Sequence, residues 1–85
     1  SDVYKRQDNE LKQIPWSNFD VIYFDPPYEI KLEPIILKKI EKIKNQAIVI
    51  TETSHKIFET AQSTYSKSYK NKFINFFFAK NLKKL

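Results

Sequence analysis

The chain has 85 residues and a formal net charge of +5, with 15 Lys and Arg against 10 Asp and Glu. It contains no Gly, no Cys and one His, which excludes glycine-cradled phosphate loops, disulfides and multi-histidine metal sites. The length allows one small domain or part of a larger one. With one His and no Cys, we expect no metal site. No stretch approaches the ~18 apolar residues of a membrane span, so we expect no membrane association and a cytoplasmic location.

The first residues predict a processing scar. The chain has no Met, and residues 2–7 are Asp-Val-Tyr-Lys-Arg-Gln, which matches the translation of a transposon adaptor used to prepare sequencing libraries. We therefore set residues 1–7 aside and expect a partial domain over residues 8–79, with coding sequence upstream and a basic tail at residues 80–85. The alternative is an ordinary polar leader.

Two apolar runs predict strands on either side of a helix. Residues 19–24 are β-branched or aromatic apart from Asp20, and the prolines at 26 and 27 end the predicted strand because they cannot donate ladder hydrogen bonds. Pro34 suits the first position of a helix that stops near Asn45. Its apolar face is predicted from helical spacing: Ile36, Leu37, Ile40 and Ile43. Residues 47–51 form a second strand, so the three elements predict a parallel βαβ unit.

The rest of the chain predicts a second helix and a hairpin. Ser54 can cap a short helix with three apolar residues: Ile57, Phe58 and Ala61. Extended runs at residues 64–69 and 73–79 flank Asn71-Lys72, which predicts a tight turn and hence an antiparallel pair. The order is β-α-β-α-β-β, an α/β sheet that is mostly parallel with an antiparallel terminal strand.

Positive charge is concentrated in the second half of the chain. Residues 38–85 hold eleven Lys and three Glu, as expected for a surface that faces nucleic-acid phosphates. However, the chain has fourteen Lys and one Arg, and phosphate recognition favours Arg. Codon bias toward AT-rich codons is therefore an equal alternative.

The strongest motif is Asp25-Pro26-Pro27-Tyr28, directly after the first predicted strand. Parallel α/β sheets bind ligands outside the carboxyl ends of their strands, which places the motif at a ligand-binding edge. A proline-stiffened turn with a packed Tyr is the structural alternative.

On this motif the chain resembles class I, S-adenosylmethionine-dependent methyltransferases that modify exocyclic amino groups of nucleobases. Residues 19–28, 48–52 and 70–78 are similar, more narrowly, to the bacterial small-subunit ribosomal RNA guanine-N2 methyltransferases. The resemblance covers residues 16–79, the carboxyl-terminal half of that family's Rossmann-like domain. It implies S-adenosylmethionine as cofactor, RNA (naked or in a ribonucleoprotein) as partner, and a monomeric full-length protein.

The resemblance also implies roles for single residues. Asp25, Pro26, Pro27 and Tyr28 are the catalytic candidates. The Asp25 side chain and the Pro26 carbonyl accept hydrogen bonds from the amine, the prolines fix φ, and Tyr28 stacks on the extruded base. Asp25 is the cofactor-binding candidate and, with Pro26, is expected to touch only the transferring-methyl side, because the family's glycine-rich loop and ribose-binding acid have no counterpart here. We therefore expect the isolated 85 residues to be inactive.

Other residues have two interpretations each. Lys70 and Lys72, with Lys67, bind RNA phosphates or lie on a solvated strand face, and Lys70 replaces a glycine of the family's turn. Glu52 matches an acidic position in the family or is a solvated strand end. We expect the remaining candidates to be structural: His55 at the surface or in a cap, and Trp16 and Tyr23 in packing.

Two other functions stay open. A DNA adenine-N6 methyltransferase also carries Asp-Pro-Pro-Tyr, although it often has a separate target-recognition region. A small basic nucleic-acid-binding domain without a cofactor is the third hypothesis.

Overall fold

The computed structural model describes residues 14–26 and 31–85. Its elements in chain order are β1 (Val21–Phe24), α1 (Leu32–Lys39), β2 (Ile48–Thr53), β3 (Tyr65–Tyr69), β4 (Lys72–Phe78) and α2 (Ala79–Leu82). Short 3-10 helices at Trp16–Asn18 and Ile40–Lys42 precede β1 and follow α1. The predicted adaptor scar, Pro27 and Tyr28 lie outside the described residues. No helix in the described ranges has the length and apolar character needed to span a bilayer.

The four strands form one sheet in the order β1-β2-β4-β3. β1 and β2 are parallel, with Val21 opposite Ile48, which confirms the predicted βαβ unit. β4 runs antiparallel to both β2 and β3. The described sheet is therefore a mixed α/β sheet with one parallel pairing and two antiparallel pairings. β1, β2 and β3 run in one direction and β4, the last strand of the chain, runs in the other, so the predicted antiparallel terminal strand is confirmed. The pairings are nevertheless mostly antiparallel and not mostly parallel as predicted, because β4 inserts between β2 and β3 instead of lying at the far end.

The predicted second helix is absent from the described residues, and an irregular segment replaces it. Between Thr53 and Tyr65 the chain makes bends and one turn, in which the Ala61 N–H donates to the Phe58 carbonyl at 2.9 Å. Phe58 has a φ of 51°, which a right-handed helix cannot contain. Ile57 and Phe58 are nevertheless buried, so burial of their side chains determines this path.

Helix α1 differs from its prediction in detail. Pro34 occupies the third helical position, where its missing N–H costs nothing because the first turn has no intrahelical acceptors. The α-helix ends at Lys39 and continues as a 3-10 turn. Ile36 is fully buried, whereas Leu37, predicted on the same face, is 41% exposed.

The core lies on one face of the sheet. Its buried apolar residues include Val49 and Phe77, which are opposite each other on β2 and β4, together with residues of α1 and α2: Leu32, Ile36, Ala79 and Leu82. Strand residues alternate between faces. The opposite face, here called the open face, carries Val21 and Tyr23, both more than half exposed.

The β3–β4 turn is one residue earlier than predicted. Tyr69 pairs with Lys72, so the two loop residues are Lys70 and Asn71 and not Asn71 and Lys72. Lys70 has a φ of 53°, and a two-residue hairpin with positive φ at its first position usually has Gly there. Lys70 therefore adopts the left-handed backbone that Gly would take without steric cost.

We expect Lys70→Gly to stabilise the chain by about 0.5–1 kcal/mol, because a left-handed conformation costs a non-glycine residue roughly 1–2 kcal/mol. Urea unfolding followed by circular dichroism measures the change. Ser68→Gly, in the exposed middle of β3, is the control and is expected to destabilise by a similar amount. Equal destabilisation by both variants would contradict the strain at Lys70.

Candidate functional site

A cleft of about 640 Å³ opens where β1 and β2 end. Its lining consists of Leu32 of α1 and three segments: Asp25-Pro26 after β1, residues 52–55 at the end of β2, and residues 70–73 at the β3–β4 turn. β1 and β2 are parallel, so both of their carboxyl ends reach this edge of the sheet. The cleft therefore brings together predicted candidates from three separate parts of the chain. These candidates are Asp25, Pro26, Glu52, His55, Lys70 and Lys72.

Glu52 is the best-anchored acidic group in the cleft. Its Oε2 accepts a hydrogen bond from the Tyr23 hydroxyl, and its Oε1 lies 3.3 Å from the Lys72 Nζ. The hydrogen bond from Tyr23, followed by that from Lys72, lowers the pKa of Glu52. The same hydrogen bond is the main cause that raises the pKa of Tyr23 to about 12. Glu52 is therefore an oriented, ionised carboxylate, each of whose oxygens retains capacity for a further donor.

Asp25 lies beside this network. Phe24 is opposite Thr51 in the parallel register, and Asp25 and Glu52 directly follow these two residues in the sequence. Asp25 comes two residues after Tyr23, a spacing that shares one face of an extended strand, and its charge makes a minor contribution to the raised pKa of Tyr23. Asp25 is exposed. The site thus holds two neighbouring carboxylates, one braced and one open to solvent.

The segment after β2 is ordered by its own hydrogen bonds. The Thr53 hydroxyl donates to the His55 carbonyl at 2.6 Å, and the His55 Nδ1 lies 3.4 Å from the Ser54 hydroxyl oxygen. The His55 side chain is exposed, in agreement with the prediction of a surface histidine. Among the described residues, no three of the side chains His, Cys, Asp and Glu form a group able to hold a metal.

Tyr23 is the residue beside the cleft whose predicted role is wrong. We predicted packing roles for Trp16 and Tyr23, and Trp16 is indeed buried, with its ring stacked 6.0 Å from that of Phe24. Tyr23 is instead 54% exposed and binds Glu52. The available signal was its position two residues before Asp25, because residues separated by two share a face of a strand.

We expect Tyr23→Phe to raise the pKa of Glu52 toward its ordinary range, because the largest cause of the lowering is removed. A ¹³C-carboxyl NMR titration measures this pKa. Tyr69→Phe, which removes an exposed hydroxyl on the neighbouring hairpin, is the control and is expected to leave it unchanged.

The pH dependence of stability follows from the same shift. Because the folded-state pKa of Glu52 is lowered, its contribution is present above the unfolded-state pKa and is lost as the pH falls through the folded-state value. Tyr23→Phe is expected to reduce this loss of folding stability at acid pH. An unchanged Glu52 pKa in Tyr23→Phe would show that the tyrosine hydroxyl does not brace the carboxylate.

The fold and the cleft together define a class of protein. A parallel βαβ unit with acidic groups at the carboxyl ends of its strands is typical of an α/β enzyme domain that binds its ligand at that edge. The chain belongs to the family described as Conserved hypothetical protein 95, whose model matches residues 2–78. This is the family of the small-subunit ribosomal RNA guanine-N2 methyltransferase class, so the predicted resemblance is confirmed. A comparison with curated proteins gave no match.

Family membership determines the class of reaction. It indicates a methyltransferase of this family's type and implies S-adenosylmethionine as the methyl donor.

Proposed function

We propose that the cleft binds a guanine of small-subunit ribosomal RNA and positions its N2 amine for methylation. The observation that carries this proposal is the pair of carboxylates, Asp25 and Glu52, at the ends of two adjacent parallel strands in one cleft. S-adenosylmethionine, when bound, would supply an electrophilic methyl group.

The Watson–Crick edge of guanine matches two acceptors. It presents the N1–H and the N2 amino group as donors side by side. In the proposed arrangement the Asp25 carboxylate and the Pro26 carbonyl accept from the amine, and Glu52 accepts from N1–H. Adenine presents an amine beside an unprotonated ring nitrogen, which a carboxylate repels. The two acceptors thus favour guanine over the adenine of the alternative DNA methyltransferase.

The same acceptors assist the reaction. An aromatic amine is a poor nucleophile because its lone pair is delocalised into the ring. Hydrogen bonds to Asp25 and Pro26 hold the nitrogen toward tetrahedral geometry, and the negative charge nearby stabilises the positive charge that develops on it. The methylated amine loses its extra proton readily, so no strong base is needed and His55 has no required role.

The described residues fit one side of the cofactor. In the proposed arrangement Asp25 and Pro26 lie next to the transferring methyl group, but a chain without Gly has no glycine-rich loop for the rest of the cofactor. We propose that polypeptide beyond these 85 residues supplies that loop. The stacking role of Tyr28 and the inactivity of the isolated chain stay predictions.

Binding of three RNA pentamers by the 85-residue chain tests the proposal. They carry guanosine, inosine or adenosine at the centre, and inosine lacks only the N2 amine. We expect guanosine to bind about tenfold more tightly than inosine, because an unpaired acceptor in the cleft costs about 1–3 kcal/mol. NMR shifts of the residue 25 and 52 amides report the affinity. Equal affinities would contradict guanine recognition, and a preference for adenine would support the alternative.

Two variants separate the roles of the carboxylates. Asp25→Asn is expected to weaken binding of the guanosine pentamer and to leave binding of the inosine pentamer unchanged, because in the proposal Asp25 accepts a hydrogen bond from the N2 amine. Glu52→Gln is expected to weaken both, because guanosine and inosine share N1–H. Glu59→Gln, an exposed carboxylate outside this cleft, is the control.

A further inference from the structure

The outer strand of the hairpin presents two unusually exposed aromatic side chains. All five residues of β3 are exposed, and Tyr65 and Tyr69 are 52% and 58% exposed. Tyr65, Lys67 and Tyr69 alternate along the strand and therefore share one face. A solvated strand face does not require aromatic residues at two of three successive positions.

This face continues into the cleft. Tyr65 is opposite Phe76 on β4, and Phe76 is opposite Ile50 on β2. Directly opposite residues point to the same side of a sheet. The ring of Tyr65 is also braced edge-on against Phe76, with 5.4 Å between their centroids. The exposed tyrosines thus lie on the open face, the same side as Tyr23 and Glu52.

The hairpin is also the basic end of this face. Residues 64–78 contain Lys67, Lys70 and Lys72 and no Asp or Glu. The Lys70 Nζ lies 5.4 Å from the centroid of the Tyr69 ring, and Lys72 reaches Glu52 at the cleft. The open face is therefore acidic where β1 and β2 end and basic along the hairpin. Such a gradient suits a ligand with an amine at one end and phosphates along the other.

We propose that Tyr65, Lys67, Tyr69 and Lys70, here called the hairpin platform, bind single-stranded RNA next to the nucleotide in the cleft. Unpaired bases stack on the two tyrosines, and the lysines meet the intervening phosphates. Stacking on exposed rings requires bases that are not paired in a duplex, and it tolerates any base sequence. The path of the RNA from the platform into the cleft rests on the proposed function, whereas binding of RNA to the platform does not require methyl transfer.

Fluorescence anisotropy with labelled octauridine and the 85-residue chain tests the platform. Octauridine contains no guanine, so recognition in the cleft does not contribute. We expect Tyr69→Ala and Tyr65→Ala each to weaken binding about tenfold and Tyr69→Phe to keep it. Lys67→Ala is expected to reduce the slope of log affinity against log salt by about 0.7, the value for one phosphate contact on a single strand. Lys38→Ala, an exposed lysine on α1, is the control.

Three results would overturn the platform. Wild-type affinity in both alanine variants would show that the tyrosines do not contribute to RNA binding. Equal affinities for octauridine and for an RNA duplex would show that base stacking does not contribute. Sedimentation showing a dimer that Tyr69→Ala dissociates would make a second copy of the chain the occupant. Circular dichroism checks that Tyr65→Ala still folds. If it does not, Tyr69→Ala tests the platform, with Tyr69→Phe as its matched control. If the tyrosine variants lose octauridine while guanosine and inosine pentamers bind equally, the platform stands and guanine recognition fails.

Discussion

Asp25→Ala is expected to lower methyl transfer by about 10²–10³-fold, the usual cost of removing one preorganised electrostatic group from an active site. The measurement uses an exchange protein, in which residues 14–85 replace the matching part of a full-length member of the family. In the proposed arrangement, Asp25 at the carboxyl end of β1 is an acceptor for the amine. Its loss leaves the nitrogen with the Pro26 carbonyl alone, while the exposed position of the side chain leaves the fold intact.

Asp20→Ala is the matched control for this result. Asp20 is an exposed carboxylate just before the other end of β1, paired with Lys44 at 3.1 Å, and it does not line the cleft. Exposed ion pairs contribute little to stability, so we expect wild-type rates. Tyr28→Ala is expected to lower the rate as well, through lost stacking on the base. Equal rates of methyl transfer for Asp25→Ala and Asp20→Ala would show that Asp25 has no role in the reaction.

The second large effect is on stability. We expect Ile36→Ala to destabilise the chain by about 2–5 kcal/mol, because Ile36 is fully buried in the core and truncation leaves a cavity. A small domain has a total stability of about 5–15 kcal/mol, so the variant should unfold at a much lower urea concentration. Its neighbour Leu37 is 41% exposed, and Leu37→Ala is expected to cost less than about 1 kcal/mol. Equal losses of stability in Ile36→Ala and Leu37→Ala would support the predicted apolar face that includes both residues.

The parts of the fold that depend on neighbouring residues could be predicted from the sequence. The first βαβ unit follows from two short apolar runs around a helical pattern, and its parallel pairing is confirmed. The order of the sheet was not accessible, because the insertion of β4 between β2 and β3 depends on contacts distant in sequence. Burial of Phe58 in a left-handed conformation likewise outweighed the local helical pattern around it.

The candidate site shows the same division. Asp25 and Pro26 were found because the motif is contiguous and follows a strand. The network around Glu52 joins β1, β2 and β4, and it depends on a register that no single segment specifies. Because of this network, Glu52, for which the sequence left a family acidic position or a solvated strand end open, is an oriented carboxylate in the cleft.

The most direct test of guanine-N2 methylation by this cleft is the identity of the methylated nucleoside. The exchange protein is incubated with labelled S-adenosylmethionine and small-subunit ribosomal RNA, and the RNA is digested and separated by mass spectrometry. We expect the label in N2-methylguanosine, and its loss in Asp25→Ala but not in Asp20→Ala. Label in N6-methyladenosine, or N2-methylguanosine at wild-type yield from Asp25→Ala, would contradict the role given to this cleft.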